Sequence, residues 1–575
     1  MSESGLGTII DPRGKQERRP FELAPRVTVK KLQQGRVLFY NNTKLEFCNY
    51  TAIFPRLKEL FTDKEITDFI DYRETVRGKS TSELQKLAAK LSQEKPDAAI
   101  IALGDIGVTP ATTILTIALE RQGIPCVYIT AGPGVKLARA VAFYRAGQLC
   151  MCPLEIYQGS SVEEIRKEVD RQFDSVLEML TASGKKLESL SEVSFPLDQT
   201  PPAADGYLKV PEELAVESSE EKQREPGSYM EEFMEMAEHY HIGDGLPMVP
   251  VTKRRLKRML EYCPFDPDQI LAREIGPSGK DILVRDVAIA AVMAGCRPQH
   301  MPILITAMRA MANTRYNFLQ SVTTSHPGGN LVLVSGPIAQ EVGVHGGQGC
   351  LGPGFPANAT IGRAVNLLIL DVTRAVPGYC DLDCIASQAE FTYCFGEDSE
   401  LSPWKTINEE RFDKGTSCVY VLKAEPPHDI IDFLSQTGGD LLDTYVDSST
   451  TLGSNNCYIP GNLMFVITPD HAWLLDRDGY DKNAIRRHIH ERAHHQAPMV
   501  RDRGLRPVRP AGFDEMHPIP VTRSPEDIEI VVAGGRGGHS AVILPWGLHS
   551  EAIVEAISLP NGKAAKSVTE FRRTP

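Results

Sequence analysis

The sequence predicts an α/β protein, in which a small open, mostly parallel sheet domain is followed by a larger α/β or α+β domain. Three observations predict it. AAIIAL, TTILTIALERQG and CVYIT form a strand–helix–strand unit, most simply a right-handed parallel crossover. A Pro-, Ser- and Glu-rich stretch then breaks the periodicity. Beyond it, apolar runs alternate with Gly- and Pro-rich loops and with helical segments.

Taken in order, residues 1–30 are polar with Pro, Arg and Lys, and read as an extended arm. RVLFYNNT reads as a strand running into an Asn-Asn turn. SELQKLAAKLSQEK repeats Leu and Ala at helical spacing. The crossover unit follows. SVEEIRKEVDRQFDSVLEMLTA is a helix with a serine cap and a Glu three residues on. Residues 31–183 therefore form the first domain, and residues 184–228 (LDQTPPAADG, VESSEEKQREPGS) a linker or wrapping arm. The second domain, 229–575, opens on the helix MEEFMEMAEHY. NLVLVSGP, NLLILDV, LMFVITP and EIVVAGGRGG read as its strands, and VAIAAVMAG and PILITAMRAMAN as helices.

The 575 residues carry 42% hydrophobic and 24% charged side chains, ordinary for a globular chain. A net charge of −13 argues against nucleic acid or an anionic membrane as the main partner. No apolar run approaches the roughly 18 residues of a membrane span, and the N-terminus lacks a signal-peptide pattern. Twelve cysteines spread over so long a chain suggest reduced thiols and a cytoplasmic protein. A homo-oligomer is expected.

The densest chemical signal is TTSHPGGNLVLVSGPIAQEVGVHGGQGCLGPGFPANATIGRAVNLLI. It sets His326, His345 and Cys350 among glycines and places Asn358 and Arg363 at the approach to a helix. Glycine turns before a helix N-terminus suit an anion, and Arg363 can grip a carboxylate or phosphate with two bonds. CFGEDSELSPW sets Glu397 near Trp404, and a carboxyl beside an aromatic wall can act as a general acid or base. Gly535, His539 and Ser540 lie in a second strand-then-glycine loop that lacks the P-loop ending. Cys296 sits at a helix end. The pattern H-E-x-x-H occurs at His490, Glu491 and His494, but its neighbourhood is highly charged and no third ligand follows, so no metal ligand is assigned.

These segments resemble a known family. LERQGIPCVYIT and CMCPLEIYQGSSVEEIRKEVDRQFDSVLEML are similar to UGSC-type proteins, a selenoprotein-related group named for a Sec-Gly-Ser-Cys motif after a strand. More distantly they resemble the selenocysteine-bearing B subunit of glycine reductase. DGLPMVPVT, VMAGCRPQHMP, NLVLVSGPIAQEVG, GPGFPANATIGRA, SPW and AGGRGGHSAVILPWG resemble the larger domain that accompanies such units. Where the family motif has its redox pair, this chain has Ile106, Gly107, Val108 and Thr109. Neither Ile nor Thr can form a selenenyl-sulfide or disulfide, so two-thiol cycling at this loop is excluded. The resemblance implies chemistry at a carbon–sulfur or carbon–nitrogen bond, and the lost pair turns that expectation toward a lyase.

The expected function is thus an enzyme acting on a small anionic metabolite. His326, His345 and Glu397 would move protons, Cys350 or Cys296 would supply a thiolate, and Arg363, Asn358, Trp404, Gly535, His539, Ser540, Gly107 and Thr109 would hold substrate. A metal-dependent hydrolase or hydratase and a non-catalytic subunit of a reductase-type complex are the alternatives. No cofactor is specified.

Overall fold

The structure is a computed structural model. It describes residues 6–14, 21–46, 48–105, 107–157, 159–194, 206–211, 228–457, 459–496, 518–547 and 550–573. Ile106, much of the arm, and residues 195–205 and 212–227 of the expected linker lie outside the described residues.

After β1 (Leu6–Ile10), the N-terminal unit is a five-stranded sheet of β2 (Val37–Asn41), β3 (Phe69–Arg73), β4 (Ala98–Gly104), β5 (Cys126–Ala131) and β6 (Met151–Leu154). All pairings are parallel, in the order β3-β2-β4-β5-β6. β4 and β5 are buried at every position, which is why they read as unbroken apolar runs rather than alternating ones. The helices α1 (Val29–Gln33), α2 (Ile53–Thr62), α3 (Thr81–Ser92), α4 (Thr109–Arg121), α5 (Gly134–Arg145) and α6 (Val162–Thr181) connect or cover the strands. Ser80 with Glu83, and Ser161 with Glu164, close capping boxes on α3 and α6. The strand order reverses between β2 and β4. At such a switch point the loops leaving the two strands part and open a crevice at their C-terminal ends.

The stretch expected as a linker contributes α7 (Gly184–Ser191) and β7 (Tyr207–Pro211). β7 pairs antiparallel with β1, joining the arm to the linker, and Ile9 and Leu208 enter the apolar core of the second half.

The second half adds a short pair, β8 (Ile270–Ala272) and β9 (Ile282–Leu283), then β10 (Gly329–Ser335), β11 (Cys394–Gly396), β12 (Cys418–Ala424), β13 (His428–Ile431), β14 (Leu463–Ile467), β15 (His494–His495), β16 (Ile519–Pro520), β17 (Ile528–Val532), β18 (His539–Ile543) and β19 (Ile553–Ala556). Two four-stranded mixed sheets result, β11-β10-β12-β19 and β13-β18-β14-β17. They pack face to face through Leu331, Leu333, Phe395 and Leu422 of one and Met464, Val466, Val531 and Ile543 of the other. The outer face of the first sheet, with Val332, Val334, Val419 and Val421, lies under the helices Val284–Ala294, Met301–Ala312 and Pro356–Asp371. Phe465, Ile467, Ile530 and Val542 turn outward from the second sheet toward the helices Gly438–Ser448, Pro469–Arg477 and Lys482–Arg492. The order of layers is helix, sheet, sheet, helix. Strands buried on both faces account for the apolar runs in the sequence.

One expected strand is not a strand. NLLILDV ends the helix Pro356–Asp371. Its seven residues continue the ATIGRAV turns, and a short apolar run has the same composition in a buried helix end as in a buried strand.

Among the described residues, no helix is long and apolar enough to cross a membrane.

Candidate functional site

β10 and β12 run antiparallel, with Val334 opposite Val419, Val332 opposite Val421, and Asn330 opposite Lys423. Side chains two apart share a face, so the valine ladder beneath the helices ends in a polar pair. Both residues are buried, at 4% and 5% exposure. Asn330 Oδ1 accepts the Tyr316 hydroxyl at 2.7 Å, and Asn330 Nδ2 reaches Asn366 Oδ1 at 3.4 Å. Asn330, Asn366 and Lys423 line a cavity of about 270 Å³ with Asp381, Ser387 and Glu390.

The far wall is the irregular segment that follows the helix Pro356–Asp371. Its tight approach depends on Gly329, where an added Cβ would lie 2.5 Å from the Ala389 carbonyl oxygen. That turn carries Glu390. Burial, then a hydrogen bond with Asp383, pushes the Glu390 carboxyl far above the usual range, so it holds a proton at neutral pH. Burial raises Asp381 to about 6, and Lys423 opposes the shift at both carboxyls. The cavity thus brings together one proton-bearing carboxyl, one ionised carboxyl and one amine. Among the described residues, no ion pair or hydrogen bond fixes the Lys423 amine. Asn366 Nδ2, Ser387 Oγ and Glu390 Oε1 are buried polar atoms without partners, on residues that line the same space. Buried donors left unpaired are costly, and a bound ligand is one way to satisfy them.

The loop 243–247 covers another side. Arg363 holds it, donating from Nε and Nη2 to the Asp244 carboxylate at 2.7 and 2.8 Å and to the carbonyls of Leu246 and Pro247. Asp371 Oδ1 accepts the Gly243 N–H at 2.9 Å. Burial lifts the Asp371 carboxyl to about 7.

The N-terminal unit backs this wall. Cys380 is fully buried in the same apolar cluster as Val108, Ala111 and Leu137, while the next residue, Asp381, lines the cavity. Arg374 donates to the Tyr144 hydroxyl of α5 and Arg145 to the carbonyls of Glu274 and Gly276. At the switch point, Asp105 follows β4 and Lys44 Nζ lies 3.2 Å from its carboxylate. Gly134 opens α5 at the one place where the backbone comes this near, since a Cβ there would sit 2.0 Å from the Asp105 carbonyl oxygen. The match to the UGSC family runs over residues 8–182 and contains this whole sheet. Residues 8–182 form a UGSC-type domain. Comparisons with curated proteins and with solved structures gave no match. In this UGSC-type domain, Gly107 has a positive φ of 55° with open space around it. Thr109 is wholly buried and its Oγ1 has no hydrogen-bond partner.

The residues expected to form one cleft separate into several groups. Asn358 staples a loop nest, accepting the His345 N–H at 2.8 Å and donating to the carbonyls of His345 and Cys350. His345 stacks on Phe355 at 3.8 Å, and Gly535 packs against Gln348 of the same loop. Cys350 is buried, with its thiol pushed up to about 11, and burial carries Cys296 to about 12 while its sulfur donates to the Thr360 carbonyl at 3.2 Å. Neither is poised to be a thiolate. Arg363 grips the chain's own Asp244 rather than a ligand. The Glu397 side chain is fully enclosed, accepts from Ser335 and the Ile407 N–H, and is pushed up to about 7 by burial, with Lys482 Nζ at 3.8 Å. Trp404 packs on the core of the second sheet. Ser540 is buried against His471 Nδ1 at 2.7 Å and the Tyr445 hydroxyl at 2.9 Å, whereas its neighbour His539 is exposed and meets Asp429. His326 Nε2 lies 3.1 Å from Glu425, two residues beyond Lys423, and neither residue lines the cavity. His490 and His494 do not share a helix face, because the helix ends at Arg492 and His494 begins β15.

Sequence reasoning missed Asn330, Asn366, Asp381, Ser387, Glu390 and Lys423. Two carried a signal: Asn330 and Lys423 fall on the inward parity of their strands, where Val332, Val334, Val419 and Val421 set the apolar rule.

Proposed function

We propose that the chain is an enzyme that makes or breaks a carbon–sulfur or carbon–nitrogen bond in a small anionic metabolite, by lyase-like acid–base chemistry in the cavity under the β10–β12 ladder. One observation carries this reading: Glu390 and Asp381 face the same small space beside Lys423, and their surroundings push their titrations apart. Carboxyl groups separated in this way divide the roles of acid and base at neutral pH. The volume, about 270 Å³, suits a metabolite smaller than a nucleotide. Asp381 takes the substrate proton, Glu390 protonates the departing sulfur or nitrogen, and Asn366 and Ser387, beside Lys423, hold the carboxylate. The UGSC domain serves as the wall that fixes Asp381, with its own loop no longer a redox centre.

The test is a screen of short carboxylates, 2-oxo acids among them, bearing an amino or thiol group β or γ to the acid, read as released ammonia or thiol. Turnover that falls at least about 10²-fold in both Glu390→Gln and Asp381→Asn supports the assignment. Turnover unchanged in both removes it.

A cytoplasmic home and a homo-oligomeric assembly belong to the same proposal. The twelve cysteines form no disulfide among the described residues, and Ile431, Phe433 and Leu434 expose apolar surface beside the edge strand β13.

A further inference from the structure

We infer that Lys423 is a Schiff-base lysine and that the cavity takes a short 2-oxo acid, whose carbonyl carbon bonds to Lys423 Nζ and whose carboxylate is held by Asn366 and Ser387. The inference rests on the acid–base reading of the same cavity and names its substrate class.

Four observations carry it. Lys423 is 5% exposed, yet no ion pair or hydrogen bond to a described residue fixes its amine. A buried structural lysine is ordinarily paired, because an isolated buried charge is expensive. Its residue lines a cavity, so the amine has somewhere to react. Asn366 Nδ2 and Ser387 Oγ are donors without acceptors on two other lining residues, and a carboxylate supplies acceptors for both. Glu390 presents a third orphan oxygen on a carboxyl that carries a proton, placing an acid where the carbonyl oxygen must be protonated and expelled as water. A buried lysine that lines a cavity beside a proton donor is the arrangement that imine formation requires.

The step balances within these groups. The unprotonated Nζ adds to the carbonyl carbon, forming the C–N bond as the carbonyl π pair moves to oxygen. Glu390 gives its proton to that oxygen, and Asp381 accepts one from nitrogen, leaving a neutral carbinolamine. The nitrogen lone pair then expels the hydroxyl as the C–O bond breaks, and the proton on Asp381 completes a water molecule. The products are a protonated imine on Lys423, one water and an ionised Glu390. No oxidant or reductant takes part. The imine draws electrons from the adjacent carbon, which eases loss of a proton there and elimination of an amine or thiol one carbon further on.

The experiment uses the full chain with pyruvate and glyoxylate as probes, with and without sodium borohydride. Borohydride reduces an imine to a stable secondary amine, read by intact mass and peptide mapping, and binding is read separately as the thermal shift each probe produces. The expected result is one carboxyethyl or carboxymethyl group on Lys423, at least ten-fold above any other lysine. It is absent in Lys423→Arg and formed at least ten-fold more slowly in Glu390→Gln, in variants whose melting temperatures show that they fold. A thermal shift that is lost in Asn366→Ala, without label on Lys423, overturns the Schiff base and leaves the acid–base cavity standing. Label spread evenly over surface lysines overturns the inference. Neither shift nor label overturns both the inference and the anion-binding role of the cavity.

Discussion

Arg363 and Asp244 form a two-bond, charge-assisted pair across 119 residues of chain, and through it the helix Pro356–Asp371 clamps the loop that covers the cavity. Asp244 is almost fully buried in this pair. Removing the guanidinium leaves a buried carboxylate without its partner, which costs about 3–5 kcal/mol. Arg363→Ala therefore lowers the urea midpoint and opens residues 243–247 to proteolysis. Arg363→Lys restores the charge without the planar fork and recovers only part of the loss.

Asp371 gives the fold a pH dependence with a definite sign. Burial raises its carboxyl to about 7, so the folded chain keeps this proton over a range where the unfolded chain has released it. The corresponding stability is fully present below the ordinary aspartate range and is lost as pH rises from about 4 through about 7. Asp371→Asn still accepts the Gly243 N–H but does not titrate. The wild type should lose about 1–3 kcal/mol more than Asp371→Asn between about pH 5 and about pH 8, measured as urea midpoints at the two values.

The cysteines offer a separate check. Cys48 and Cys384 are exposed, while Cys296 and Cys350 are buried, with thiols raised by that burial. Titration of the native chain with an aromatic disulfide reagent should give two fast thiols, lost singly in Cys48→Ser and Cys384→Ser. Cys296 and Cys350 should react only on unfolding.

Gly329 is held by space rather than by its dihedral angle. A methyl group there meets the backbone oxygen of Ala389, which cannot rotate away. Gly329→Ala should cost about 1–3 kcal/mol and displace the turn that carries Glu390. Because β10 itself is unaffected, circular dichroism should hold while the melting temperature falls.

Much of the architecture was legible in the chain. β4, β5, β10, β14 and β17 are buried at every position and mostly apolar because both of their faces are covered, and Ser161 with Glu164 marks the start of α6 at the residue level. NLLILDV was not legible, because a short, largely apolar run bounded by no turn signal reads equally well as strand or helix end. The glycine loops drew attention to His345, Cys350 and Asn358, and these do gather, but around one another's backbone groups rather than around a cavity. Arg363 read as a free cation because its partner lies 119 residues earlier. Asp381, Ser387 and Glu390 lie in chain with no periodicity to mark them, and tertiary packing, of Cys380 against the UGSC-type domain and of Ala389 against Gly329, brings them to Lys423. The two polar residues at the end of a valine ladder were the one local clue.

The central claim is that chemistry belongs to the Lys423–Glu390–Asp381 cavity and not to the glycine loops. The most direct measurement compares kcat of Lys423→Met and Glu390→Gln with that of His345→Ala and Cys350→Ala, on a turned-over carboxylate and with melting temperatures recorded for all four. The account predicts a loss of at least about 10²-fold in the first pair and no more than a few-fold change in the second. Full activity in the first pair with loss in the second would contradict it.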